Sequence, residues 1–198
     1  EWSALMTHYT GLSRVEIRDA FAGFCNARPV GGKFAHRQTD TPAGSSPSMK
    51  WVNPPVAFML HAGIPLLRGI GACFPGIQPS HGWTNRVALE AYPGLLAREA
   101  IGKRSYKSDD VAKQDAERLL ARKDIITVLE AGTSRLNLRV RLTHAQRDAI
   151  THDGKGDALD AVLCLMQAAW ALAQQHNGHP CFGLPDHVDP LEGWIVTA

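Results

Sequence analysis

The stretch Gly156-Asp157-Ala158-Leu159-Asp160-Ala161 opens the most strongly helical run of this sequence. From position 157 to about position 176 there is no Pro or Gly, and Ala and Leu dominate, which predicts one long helix. Leu159, Leu163 and Met166 lie on the stripe that such a helix buries. Asp157 and Asp160 are three residues apart, so a helix places both carboxylates on one face of its first turn.

These two aspartates have two interpretations. Two carboxylates on one face at the head of a helix suit the binding of a divalent cation. Alternatively, Asp157 caps the helix, and Asp160 lies favourably near the positive end of the helix dipole. Capping is the commoner use of acids at this position, so the aspartates alone do not establish a metal site.

The composition describes an ordinary globular protein. A chain of 198 residues with 44% hydrophobic and 20% charged residues is typical of one domain. Its four cysteines form no CxxC pair, which predicts neither a disulfide framework nor a zinc site and suits the reducing cytoplasm. The longest apolar stretch, residues 161–173, is too short to span a bilayer, so we expect no membrane association.

Charge is distributed unevenly along the chain. Residues 97–147 contain 12 Lys and Arg against 7 Asp and Glu, whereas residues 148–198 contain 1 and 7. A basic middle followed by an acidic end suits a polyanion held against a cation-binding centre. The alternative is that the basic middle is a solvated helix face, because acids interleave it.

The order of predicted elements mixes helices with strands. Apolar runs at residues 71–74 and 86–90 and an alternating run at 136–142 predict β-strands. Residues 29–55, rich in Pro, Gly and Ser, predict a long loop, either a basic flap over a phosphate-bearing ligand or an ordinary surface excursion. A shorter loop is predicted at 78–85. Helices are predicted at residues 14–27, 56–60, 65–69, 93–101, 110–131, 144–150 (capped by Thr143) and 157–176.

Glu90 is the other notable acid. It ends the apolar run 86–90, and open α/β sheets bind their ligands at the carboxyl ends of strands. The alternative is a half-exposed charge paired with Arg86 or Arg98.

Five stretches, in this order and spacing, resemble one known family, the predicted RNase H-like nucleases called domain of unknown function 429. The resemblance covers nearly all of the chain. The stretches are Lys50-Trp51-Val52-Asn53-Pro54-Pro55, Val87-Ala88-Leu89-Glu90-Ala91-Tyr92-Pro93, Ser105-Tyr106-Lys107-Ser108-Asp109, Gly156-Asp157-Ala158-Leu159-Asp160-Ala161 and Pro190-Leu191-Glu192-Gly193-Trp194-Ile195.

The resemblance implies a three-layer α/β fold of the RNase H-like type, with a mixed central sheet flanked by helices, in a single domain over residues 1–198. It implies a metal-dependent nuclease that hydrolyses phosphodiester bonds of DNA or RNA with Mg²⁺ or Mn²⁺ in a two-metal site. Glu90, Asp157 and Asp160 match the family's catalytic metal ligands. The side chains expected to contact the substrate are Arg37, Lys50, Lys107 and Lys155.

The family pattern also has an acid on its first strand, and no glycine-rich hairpin carrying such an acid precedes Ser13. We therefore expect residues 1–198 to be a fragment, either with its N-terminal hairpin truncated or with those strands contributed from outside this sequence. Such a fragment would show an unpaired strand edge or apolar patch beside residues 87–90, and only part of the metal site.

Two other functions compete with the nuclease. One is a non-catalytic module that binds nucleic acid or takes part in assembly on the same fold. The other is a nucleotide phosphotransferase on the related actin-like fold, against which the missing glycine-rich phosphate loops argue.

Overall fold

The computed structural model describes residues 1–78 and 86–198, and these residues form helices and irregular segments but no β-strand. The predicted three-layer α/β fold with a mixed central sheet is therefore wrong for the described chain. The runs at 71–74 and 86–90 make isolated bridges only, between Cys73 and Val87 and between Glu90 and Ile195. A sheet needs several consecutive pairs on each strand, and these runs pair at single positions. The loop predicted at 78–85 lies, apart from Gln78, outside the described residues.

The chain divides into two compact units. Unit 1 comprises residues 1–90, 184–196 and 198, and unit 2 comprises residues 91–183 and 197. The helices of unit 1 are α1 (Trp2–Gly11), α2 (Arg14–Asn26), the single-turn α3 (Asp40–Ala43) and α4 (Val56–Gly69).

Helix α2 begins at the predicted capping box. The Ser13 side chain accepts a hydrogen bond from the Glu16 backbone N–H at 3.2 Å, and Glu16 accepts one from the Ser13 N–H at 2.7 Å. Residues 29–55 are irregular apart from α3, as predicted. Helix α1 was not predicted.

Helix α4 is one helix where two short ones were predicted at 56–60 and 65–69. Pro65 lies inside it. A proline removes one backbone hydrogen bond, but Ala57 and Ile64 are buried on the same helix, and their packing sustains it. The core of unit 1 also holds Tyr9, whose hydroxyl donates to the Ala57 carbonyl at 2.8 Å. Burial raises the pKa of Tyr9 to about 12.

The helices of unit 2 are α5 (Pro93–Ile101), α6 (Ala116–Ala131), α7 (His144–His152) and α8 (Asp157–His176), with a 3₁₀ turn at Val111–Lys113. Pro180–Gly183 forms a left-handed turn, in which Cys181 and Phe182 have φ +51° and +61°. Helix α8 has the predicted bounds. Helix α6 begins later than predicted because the Asp115 carboxylate caps it, accepting from the Arg118 N–H at 2.9 Å. Val111, in the 3₁₀ turn that precedes α6, is 76% exposed.

The core of unit 2 is built on the buried stripe of α8. Leu159 and Leu163 are fully buried and Met166 nearly so, as the periodicity predicts. They pack with buried side chains of the other helices, among them Leu96, Ile125, Ile126, Leu129 and Ile150.

Leu136 lies in a turn and Asn137 has φ +52°, and residues 138–142 form no regular secondary structure and pair with no strand in the described chain. Leu136 is buried, and Leu138, Val140 and Leu142 pack partly buried against the core of unit 2. Arg139 and Arg141, between them, are exposed. The alternation thus correctly predicts which side chains are buried, and the strand prediction is wrong.

No single helix in residues 1–78 and 86–198 combines the length and apolarity needed to cross a membrane. Helices α7 and α8 together have the required length and apolar composition, but the chain bends by 118° between them.

Truncating the α8 stripe tests its role in the core. We expect Leu163→Ala to lower the free energy of unfolding by about 3 kcal/mol, because it leaves a cavity at a fully buried position. Leu165, two residues along the same helix, is 61% exposed, so Leu165→Ala is the matched control and should cost under about 0.5 kcal/mol. Urea unfolding measures both, and equal losses would contradict the orientation of α8.

Candidate functional site

The head of α8 is organised by Asp153, not by Asp157. Gly156 is the N-cap residue, at φ +76°, and makes no side-chain cap. The Asp153 carboxylate accepts hydrogen bonds from the N–H groups of Ala158 at 2.8 Å and Lys155 at 3.1 Å. The interpretation that Asp157 caps the helix is therefore wrong. Asp157 is the first helical residue, and its exposed carboxylate has no hydrogen-bond or ion-pair partner within the described chain.

Asp160, one turn further, is held by two side chains from residues 105–109. The Tyr106 hydroxyl donates to Oδ1 at 2.6 Å, and the Lys107 ammonium donates to Oδ2. The Asp160 side chain is 21% exposed and that of Lys107 is 42% exposed. Burial, and then the hydrogen bond to Asp160, raise the pKa of Tyr106 far above its usual value. Tyr106 therefore remains a neutral donor that orients the carboxylate.

Two features bring Tyr106 and Lys107 to this position. The buried Arg122 side chain donates to the Tyr106 carbonyl at 2.6 Å and to the Thr151 carbonyl at 2.7 Å, which ties the loop to α6 and α7. A Cβ on Gly156 would lie 2.8 Å from the Lys107 Cβ, so only glycine allows this approach. The stretches 105–109 and 156–161 thus meet around one carboxylate, which their separation in sequence does not reveal.

Glu90 lies in unit 1, where its carboxylate forms a two-pronged ion pair with Arg37. Arg37 Nη1 donates to Oε2 at 2.6 Å and Nη2 donates to Oε1 at 2.7 Å. The same guanidinium donates to Asp40 Oδ1 at 2.9 Å and to the Glu192 carbonyl at 3.1 Å. The Asp40 side chain is fully buried and that of Glu90 is 43% exposed. Arg37, predicted to contact the substrate, is thus the internal partner of Glu90.

The stretch 190–195 also meets Glu90. Glu90 bridges Ile195, and the Val196 N–H donates to the Glu90 carbonyl at 2.8 Å. The Gln38 N–H donates to the Glu192 carboxylate at 2.8 Å. Residues around Arg37, Glu90 and Glu192 therefore form one polar cluster within unit 1, in which a single guanidinium contacts the carboxylates of Asp40 and Glu90 and the backbone carbonyl of Glu192.

The other predicted substrate contacts are Lys50 and Lys155. Lys50 is half-buried, and its carbonyl accepts a hydrogen bond from the Ala57 N–H at 2.9 Å. Lys155 is exposed in the turn that precedes α8. Their contact with a substrate stays a prediction, as does that of Lys107.

The fit of a divalent cation depends on the donors available. Within residues 1–78 and 86–198, no group of three or more His, Cys, Asp or Glu side chains is arranged to hold a metal ion. Mg²⁺, however, is often held by only one or two carboxylates together with substrate phosphates. Asp157 and Asp160 provide that donor type, and the cation would compete with Lys107 for Asp160. Glu90 as a third ligand stays a prediction.

Removal of Arg37 tests the cluster of unit 1. Arg37→Ala leaves the buried Asp40 carboxylate without a cation, and we expect a loss of about 3 kcal/mol in the free energy of unfolding. Arg18→Ala is the control, since it breaks an ion pair whose side chains are 53% and 62% exposed, worth at most about 1 kcal/mol. Similar losses in urea unfolding would show that the cluster adds nothing beyond a surface ion pair.

The Asp153 cap predicts a pH dependence. The hydrogen bond from the Ala158 N–H, with weaker ones from Gly156 and Lys155, lowers the pKa of Asp153. Its contribution to stability is therefore complete above the unfolded pKa of about 4 and is lost as pH falls through the lower folded value. We expect Asp153→Ala to cost about 1 kcal/mol at pH 7, with the difference from wild type shrinking below pH 4.

Denaturant unfolding across this pH range measures that effect. Asp148→Ala is the control, because Asp148 is exposed on α7 and its carboxylate caps no helix. A cost for Asp153→Ala that is constant from pH 7 to pH 3 would contradict the ionic cap.

Comparison of the chain with protein-family models, with curated proteins and with solved structures finds no significant match in any of the three. The resemblance to the family of domain of unknown function 429 therefore stays a prediction from the five stretches.

Proposed function

We propose that this protein is a metal-dependent hydrolase of nucleic-acid phosphodiester bonds, with Asp157 and Asp160 as carboxylate ligands. The proposal rests on one observation. Asp160 is oriented by Tyr106 and neutralised by Lys107, both from a separate stretch of the chain, and it lies one turn after Asp157, whose carboxylate has no partner in the described chain. Without the predicted sheet, the support comes from these residues and not from the fold.

Each residue at the head of α8 has a specific role in the proposed hydrolysis. Mg²⁺ or Mn²⁺, when bound, would supply activation of a water and stabilisation of the leaving oxygen. Asp157 and Asp160 would hold the ion, and Tyr106 keeps the Asp160 carboxylate oriented. Lys107, which pairs with Asp160, would be free to contact a substrate phosphate if a bound ion replaced it at that carboxylate.

Exposed cations favour a polyanionic substrate. Lys155 precedes Asp157 by two positions, and Arg139 and Arg141 are exposed in the irregular segment 136–142. Phosphate groups of DNA or RNA are the polyanion that such side chains bind. Glu90 is assigned to the same reaction by the resemblance alone.

We also place the protein in the cytoplasm, in keeping with its four free cysteines.

A non-catalytic nucleic-acid-binding module is the second candidate. The observation that favours it is that Glu90 and Asp160 are each neutralised by a cation of the protein, Arg37 and Lys107. Carboxylates paired in this way are stable without a metal ion, so the same residues could have a purely structural part.

Hydrolysis of a generic phosphodiester, bis(p-nitrophenyl) phosphate, and of a labelled oligonucleotide separates the two candidates. We expect turnover that requires Mn²⁺ or Mg²⁺ and falls at least about 100-fold in Asp157→Asn and Asp160→Asn. Asp148→Asn, an equal charge change at an exposed position on α7, should retain wild-type turnover. Glu90→Gln shows whether the resemblance assigns this residue correctly.

One set of results would reject the hydrolase. Oligonucleotide binding without divalent-dependent turnover, unchanged in Asp157→Asn, would reject the hydrolase and favour the binding module. Melting curves of each variant show whether a loss of turnover reflects unfolding.

A further inference from the structure

Unit 1 contains a solvent-open cavity of about 590 Å³ in the first part of the loop 29–55. The residues that line it are Arg28, Gly31, Gly32, Lys33, Phe34 and His36. Two of these side chains are permanent cations, one is a histidine and none is an acid. Ligand cavities of proteins commonly have volumes of about 300–1,000 Å³, so this one is large enough for a nucleotide-sized molecule.

Arg28 is fixed at one wall of this cavity. Its Nε donates to the Gly32 carbonyl at 2.7 Å, and its guanidinium lies over the Phe24 ring, 5.1 Å from the centroid. No further hydrogen bond or ion pair engages this guanidinium within the described chain, so its two Nη groups are free donors. A guanidinium held in place by its own protein loses little freedom when it binds a phosphate.

The backbone of the cavity is a tight turn. The Gly32 N–H donates to the Pro29 carbonyl at 3.1 Å, and Gly31 has φ +93°, a conformation that favours glycine. Because neither glycine has a side chain, the backbone at the wall of the cavity is open to a ligand.

Lys33 and His36 complete the cationic lining. Both are exposed, and in the part of the chain that the structure describes neither side chain has a hydrogen-bond or ion-pair partner. Arg37, the next residue, differs because its guanidinium is taken up by Asp40 and Glu90. Arg37 is thus used for the fold of unit 1, whereas Arg28, Lys33 and His36 have no acidic partner among the residues that the structure describes.

Phe34 adds an apolar surface to the cavity. It is half-buried, and its ring centroid lies 5.7 Å from that of Trp51. Unpaired cations bind phosphate oxygens, and an aromatic face can stack on a base.

We propose that this cavity binds the phosphate group of a nucleoside phosphate, with Arg28, Lys33 and His36 as phosphate contacts and Phe34 beside the base. The site lies within unit 1 and does not depend on the proposed hydrolysis at the head of α8. The phosphate can come from a free nucleotide or from a nucleic-acid strand, and the experiment distinguishes these sources.

Calorimetric titration at constant ionic strength tests the site with AMP, adenosine and a single-stranded oligonucleotide. We expect AMP to bind at least about ten-fold more tightly than adenosine, and Lys33→Glu to weaken AMP about ten-fold or more. Lys123→Glu is the matched control, an equal charge change at an exposed lysine of α6, and should change the Kd less than about two-fold.

The other possible binding results also support or overturn the site. Binding of the oligonucleotide but not of AMP, weakened by Lys33→Glu and not by Lys123→Glu, supports the site with a strand phosphate as its ligand. Equal binding of AMP and adenosine, or no binding of any probe, overturns the proposal. An unchanged Kd in both Lys33→Glu and Lys33→Ala also overturns it, since the exposed Lys33 can be replaced without loss of the fold.

Discussion

Burial of one stripe of α8 is the constraint on which unit 2 depends. Leu159 and Leu163 have no exposed surface, so they fix both the position of the helix and its rotation about its axis. That rotation leaves Asp157 exposed and places Asp160 between core and solvent, where Tyr106 and Lys107 reach it. The chemistry proposed for the head of α8 therefore follows from hydrophobic packing along the rest of the helix.

Buried polar side chains then connect segments that packing alone would leave loose. Gln167 is fully buried on α8, accepts from the Tyr92 N–H at 3.1 Å and donates to the Thr197 hydroxyl at 2.9 Å. Arg122 is 3% exposed and donates to two backbone carbonyls. Burying such groups is costly unless they are hydrogen-bonded, so each specifies where its partner segments must lie.

Ion pairs also connect separate segments within each unit. They give the paired acids of the candidate site a structural role besides the proposed binding of a metal ion. Arg37 satisfies Glu90 and the buried Asp40, and Lys107 satisfies Asp160. A divalent cation at Asp160 would have to displace an ammonium group already in contact with it. A metal ion must therefore bind the carboxylate more strongly than the cation of the protein that already pairs with it.

The sequence by itself determined the features that depend on neighbouring residues. These are the bounds of α8, the capping box at Ser13 and the alternate burial along residues 136–142, because helical and extended periodicity and caps are local. It also singled out Asp160, Lys107, Arg37 and Glu90 as candidates. Only the tertiary structure decided that no sheet forms in the described chain and that α4 continues through Pro65. The cap of α8 by Asp153 is itself local, since its donors are the N–H groups of Lys155 and Ala158, and the sequence interpretation missed it by assigning the cap to Asp157. The tertiary structure alone joined Lys107 to Asp160 and Arg37 to Glu90, each 53 positions apart, because such contacts depend on how distant segments pack and not on local pattern.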